Sequence, residues 1–299
     1  MTVRTRNRLI ALSIIAAPFI FLLGLLLFWD AEPLPPVPPL PNPNGYEALV
    51  KAGGMITGDV VNYDQMRETE LRLMAQSNSN ALQLARNGLQ QKCQVTPNYS
   101  PTSGIVLVEH SALLHLAQAF AAEGRLAEME NRTNDAIESY LELIRMGNES
   151  AHGGVVLDEL AGIAMESLGV KQLQKLADQL DAKTCRETAA TLETLDSQRQ
   201  TWDEVMQQER DWSRRAFPGI RYELVRLVER NSMQKIDQLA EQKFENQQTK
   251  TRQLIINLAA RGYDLDKGHR PASVANLVPD YLKAIPQDPI TGTNMVYSP

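Results

Sequence analysis

Residues 133–147, TNDAIESYLELIRMG, set the period on which the chain is built. Ile137, Tyr140, Leu141 and Ile144 fall at i, i+3, i+4 and i+7, one apolar face of an α-helix. Thr133 and Asn134 bring N-cap chemistry to its start, and Gly147 suits a C-cap. The same period extends in both directions. Upstream it predicts an amphipathic turn over Tyr46–Ala52, ended by Gly53-Gly54, and a helix from about Asp64 to Lys92. A loop at Pro97–Gly104 then precedes a long helix from Ile105 through Leu116 and Phe120. Downstream it predicts helices over 155–180 and 185–213, and Thr184-Cys185-Arg186-Glu187 has the spacing of a capping box at a helix start. Pro218-Gly219 breaks the chain before two last helices, roughly 220–248 and 250–262. Alternating β-branched runs are missing, and no Asn-Gly hairpin is flanked by them. The expected body is therefore all-α, an antiparallel multi-helix bundle with short loops.

Two segments precede that body. Leu9–Trp29, LIALSIIAAPFIFLLGLLLFW, holds no charge, and as a helix it would reach about 30 Å, the thickness of a bilayer's hydrocarbon core. Arg4, Arg6 and Arg8 precede it and Asp30 and Glu32 follow, so the N-terminus is expected in the cytoplasm and the bulk outside, in the periplasm. A cleaved signal would end at small residues, whereas this stretch ends at Phe28-Trp29. Residues 31–44, AEPLPPVPPLPNPN, contain seven prolines and read as a semi-rigid spacer. The expected division is 1–30 for the cytoplasmic stub and transmembrane anchor, 31–44 for the Pro-rich spacer, 45–250 for the helical bundle and 251–299 for a small C-terminal module.

A net charge of −6 with no basic, aromatic-interleaved stripe argues against nucleic acid as a partner. Cys93 and Cys185 stand 92 positions apart; outside the cytoplasm they either close one disulfide or remain two buried thiols. His110 and His115 are five apart, which points them to different sides of a helix, where a shared metal prefers i, i+4. Glu109-His110 and Asp158-Glu159 read as ordinary exposed neighbours. Asp264-Leu265-Asp266-Lys267-Gly268 lacks the third acidic ligand and the distal glutamate of a calcium loop. G-x-S-x-G, phosphate-loop, G-x-G-x-x-G and H-E-x-x-H patterns are all missing. Neither catalytic, cofactor-binding nor metal-ligating residues are therefore expected, and no cofactor.

Certain residues carry resemblances. SALLHLAQAFAAEGRLAE and NDAIESYLELIRMG, within 111–147, resemble a tetratricopeptide-type helix pair. No second copy recurs at a fixed period, so the pair reads as one helical hairpin inside a bundle. Leu258-Ala259, Tyr263, Gly268, Pro271, LVPDYL (277–282), Ile285-Pro286, Asp288-Pro289, Gly292 and Tyr297 resemble the C-terminal module of major type II secretion pseudopilins. That resemblance implies a short helix at LVPDYL and a final extended segment at Met295-Val296-Tyr297. The pseudopilin N-terminal start and its glutamate inside the apolar helix are missing, and the calcium-binding loop of that module would lie beyond Pro299, so neither pilus assembly nor calcium is expected to carry over. Taken whole, the chain resembles a class of membrane-anchored proteins of planctomycete-type bacteria, which implies no activity.

The expectation is a single-pass, inner-membrane-anchored, extracytoplasmic helical protein. It would serve as a protein-interaction or scaffold module and not as an enzyme, touching lipid through Leu9–Trp29 and other envelope proteins through its body. The alternatives are an envelope-acting enzyme with a dispersed acidic site, or an accessory component of a secretion or pilus-like system. A pocket holding two carboxylates of raised pKa would favour the enzyme, a broad apolar groove the interaction module.

Overall fold

The computed structural model describes residues 17–21, 23, 24, 34, 36–99, 104–217 and 220–297. Among them the body is an all-helical bundle of eight helices with no strand. They are α1 (Gly45–Gly54), α2 (Glu68–Leu89), α3 (Gly104–Met129), α4 (Thr133–Ala151), α5 (Val156–Leu176), α6 (Ala182–Ser197), α7 (Trp202–Ala216) and α8 (Ile220–Lys267). Most of the predicted anchor, Leu9–Trp29, lies outside the described residues; residues 17–21, 23 and 24 are helical. No helix among the described residues is long and apolar enough to cross a membrane. The break at Pro218-Gly219 also lies outside them.

Local chemistry sets most boundaries. Asn44 caps α1 by accepting from the Tyr46 N–H at 3.2 Å. Asn131 takes a left-handed φ of 58°, and the Arg132 N–H reaches back to the Ala127 carbonyl at 2.8 Å, so α3 turns sharply into α4. Thr201 and Glu204 form a reciprocal capping box that starts α7. α6 begins three residues before the predicted start, because Asp181 accepts from the Thr184 N–H at 2.8 Å and serves as its cap.

Three expectations are corrected. Gly147 does not end α4, which continues to Ala151; the chain turns instead at Gly153, whose φ is +74°. The two helices expected over 220–248 and 250–262 are one, α8, since neither glycine nor proline occurs from Ile220 to Ala260. The boundary drawn at 250/251 thus falls inside a helix. The short helix expected at LVPDYL forms earlier, as a 3-10 turn over Val274–Leu277, because Pro279 pushes Val278 into the extended region.

Two large cores fill most of the body, and Val156, Val205 and Ala240 form a small third. One of the large pair gathers Tyr46, Leu49, Leu71, Leu82, Leu113, Phe120 and Met165 where α1, α2 and α3 pack. The other gathers Ile137, Tyr140, Ile144, Leu173, Leu192, Ile255 and Leu258 with Leu277, Tyr281 and Leu282 of the tail. The tail is pinned to α8 by the Tyr281 ring 5.4 Å from the Tyr263 ring and by the Tyr281 hydroxyl donating to Asp266 at 2.9 Å. A tight turn over 288–292 precedes its last described residues, 295–297, which form no strand. Asp288 accepts from the Ile290 and Thr291 N–H groups, and one isolated antiparallel bridge joins Gln287 to Asn294. Of the two alternatives for the cysteines the structure has the second: Cys93 and Cys185 are free thiols, each buried in a different core.

Candidate functional site

Two of the concavities among the described residues bear on function. An open groove of about 770 Å3 runs between α4 and α6, lined by Ile137, Leu141, Thr188, Thr191 and Leu195, with Lys283 of the tail at its edge. A more enclosed cleft of about 460 Å3 lies at the other end of α4, and it is the more chemically varied of the two.

The cleft is assembled from five parts of the chain. Pro36, Val37 and Pro38 form one wall, so the second half of the Pro-rich spacer lies along the body. Asn44 ties that segment down: its amide donates to the Gln94 carbonyl at 2.8 Å and its carbonyl accepts from the Gln94 N–H at 3.0 Å. Residues 94–99 form the next wall, held by the Val95 N–H on the His152 carbonyl at 2.9 Å. The Gly153-Gly154 turn packs so closely on Asp158 that a Cβ at Gly154 would stand 2.6 Å from the Asp158 Cβ. Gln208, Asp211, Trp212 and Arg215 fall at i, i+3, i+4 and i+7, which turns one stripe of α7 to the cleft. The Trp212 indole N–H donates to the Asn98 carbonyl at 2.7 Å, and the Arg215 guanidinium lies 5.7 Å over the Tyr99 ring.

Carboxylates converge here from three helices. Glu109 of α3 accepts from the Tyr46 hydroxyl at 3.0 Å. Asp158 of α5 accepts from the Val155 N–H at 2.8 Å and pairs with His110 Nε2 at 2.7 Å. Glu209 of α7 accepts from the Val156 N–H at 3.1 Å. Burial raises the Glu209 carboxyl above the usual carboxylate range, its hydrogen bond to the Val156 N–H opposes the rise, and Asp237 and Asp158 add to it. Burial, with Glu109 and Asp158 nearby, likewise raises the Tyr46 phenol.

The pairs expected to be exposed neighbours are corrected at this point. His110 is 7% exposed, Asp158 6% and Glu159 3%, and they are committed to partners. A signal for the first was present: His110, Leu113 and Ala117 share the buried face of α3 at i, i+3 and i+7. Asp158 stands three residues after Val155, the position from which a carboxylate closes a capping box. Behind the cleft lies a second buried set invisible in sequence. Arg199 pairs with Glu166 and stands 3.7 Å from Glu159; Gln200 donates to Glu159 at 2.8 Å and Thr251 to Glu166 at 2.7 Å. It joins α5 and α8 through the connection between α6 and α7.

The remaining histidines do not join either set: His115, His152 and His269 are exposed. Among the described residues no group of three or more His, Cys, Asp or Glu side chains is arranged to hold a metal ion. Asp266 sits in the last turn of α8, paired with Arg186. The chain matches no family model, no curated protein and no solved structure.

Proposed function

We propose that this chain is a single-pass, membrane-anchored, extracytoplasmic helical module that works by binding, with the cleft beside the proline segment as its binding face. One observation carries the reading: Pro36–Pro38 form a wall of the cleft, only seven residues beyond Trp29. An extended chain covers at most about 3.6 Å per residue, so with Leu9–Trp29 in lipid the cleft stands within about 25 Å of the bilayer. Phe19, Ile20 and Phe21, each at least 67% exposed, are uncovered by the body, which suits side chains facing acyl tails. The open groove between α4 and α6 offers a further surface for an envelope protein.

The experiment is fractionation joined to a topology reporter. The full chain stays with membranes through high salt and alkaline carbonate, and a reporter at its C-terminus is active only outside the cytoplasm. Recovery in the soluble fraction, or a mature polypeptide beginning near residue 31, overturns the anchor.

A second reading, an envelope-acting enzyme, is favoured by the buried His110–Asp158 pair behind the cleft. Of the cleft's four carboxylates Glu209 has a raised carboxyl, and an acid–base mechanism would need a partner for it. Hydrolysis of envelope polymers lost on Asp158→Asn, with the fold retained, would decide for this reading.

A further inference from the structure

The cleft's lining names a class of ligand. Glu109, Asp158, Glu209 and Asp211 line it, with Arg215 as the one guanidinium among the described lining residues, so acidic groups dominate its polar lining. Val37, Val95, Leu157 and the Trp212 indole supply apolar wall between them. Glu209 faces Asp237 and Asp158 where water screens them poorly. Gln208, on the same stripe of α7, keeps a buried side-chain carbonyl oxygen with no hydrogen-bond partner among the described residues. A buried acceptor left empty wants a donor. Arg215 over Tyr99 already sets a cation on an aromatic ring of this wall. The volume, about 460 Å3, suits a small organic molecule rather than a folded partner.

We infer that the cleft binds an organic cation, a primary ammonium group carried on a compact apolar body. The ammonium donates to Asp211 beside the Gln208 side chain, on one stripe of α7, while Glu209 adds negative charge from the helix's other flank. The apolar body lies against Trp212, Leu157 and Val37. A soluble amine and the amine headgroup of a lipid present the same chemistry. The inference rests on the cleft being the binding face and is independent of the anchor.

The test uses the full chain in a nonionic maltoside detergent at pH 7. Hexylammonium chloride is titrated against tryptophan fluorescence, with 1-hexanol as the neutral counterpart and Trp212→Phe to assign the signal. Hexylammonium gives a saturable response at least tenfold tighter than hexanol. Asp211→Asn, whose side chain among the described residues accepts one hydrogen bond, from Gln207 of α7, weakens it about tenfold without moving Tm. Glu209→Gln does the same if it folds. Prior reconstitution with phosphatidylethanolamine weakens the apparent hexylammonium affinity where the lipid headgroup is the occupant and leaves it unchanged where a soluble amine is. Equal affinities for hexanol and hexylammonium, or Asp211→Asn and Glu209→Gln both binding as the parent does, overturn the ammonium assignment while the binding face stands. No saturable response to either compound overturns both.

Discussion

Gly147 on α4 and Gly162 on α5 meet backbone to backbone. A Cβ on Gly147 would lie 2.6 Å from the Gly162 carbonyl oxygen, and one on Gly162 would lie 2.5 Å from that of Gly147. One turn pair further along, Gly169 repeats the approach against the Tyr140 carbonyl. Gly162 and Gly169 are seven apart, so α5 presents one flat strip on which α4 lies.

Gly147→Ala and Gly162→Ala therefore force the two helices apart. Overpacking of this kind costs about 1–3 kcal/mol. Urea unfolding of each variant should show a lowered midpoint at unchanged slope, while Gly54→Ala, where nothing lies within 4 Å of the added Cβ, stays within about 0.5 kcal/mol of the parent. Parent-like stability for both Gly147→Ala and Gly162→Ala would refute the close crossing.

The Arg199–Glu166 pair is buried, with Glu159 sharing the same guanidinium. Removing the cation alone leaves two carboxylates in the interior, so Arg199→Met should cost about 3–5 kcal/mol. Arg199→Met combined with Glu166→Met should recover part of that loss, because Gln200 still serves Glu159. Chemical denaturation of the single and double variants measures both. A double variant less stable than the single one would show that the unpaired Glu166 carboxylate is not what costs the stability.

Glu142 gives stability a pH dependence. Burial, opposed by Arg86, pushes its carboxyl up to about 7 from an ordinary 4.5. The folded protein then holds a proton that the unfolded chain releases between those values. Stability due to this group is present below about 4.5 and falls as pH rises toward 7. Glu142→Gln should flatten the stability profile over that window, read as Tm against pH. An unchanged slope would mean that Arg86 keeps the group ionised.

Burial pushes the Cys93 thiol up to about 12 and the Cys185 thiol to about 11. At pH 8 the thiolate fraction of either is on the order of one in a thousand or less. A thiol-specific disulfide reagent should titrate none in the native protein over minutes and two after denaturation. Fewer than two in the denatured, unreduced protein would restore the disulfide.

Much of the architecture is written in local patterns. Ile137, Tyr140 and Ile144 carry the 3.6-residue period and end in a core; Asn44, Thr201 and Asp181 are short polar side chains at helix starts, and each caps one. The tail's anchoring residues, Leu277, Tyr281 and Leu282, are legible as bulky apolar positions among prolines. Gly147 shows the limit. A glycine near a helix end and a glycine under a crossing helix look alike in sequence, because only the neighbour's position tells them apart.

The cleft was hidden for the same reason. Glu109, Asp158 and Glu209 are 49 and 51 positions apart, and each alone resembles a solvated surface acid. What the sequence determined by itself is the helical period, the caps and the presence of an uncharged 21-residue stretch ahead of a proline run. These depend on bonds and contacts within a few residues. Only the tertiary structure decided that α4 and α5 cross at glycines, that Arg199 is buried among carboxylates, and that the proline segment lies along a charged cleft. Those depend on which faces of distant helices share one excluded volume, a quantity no local window contains.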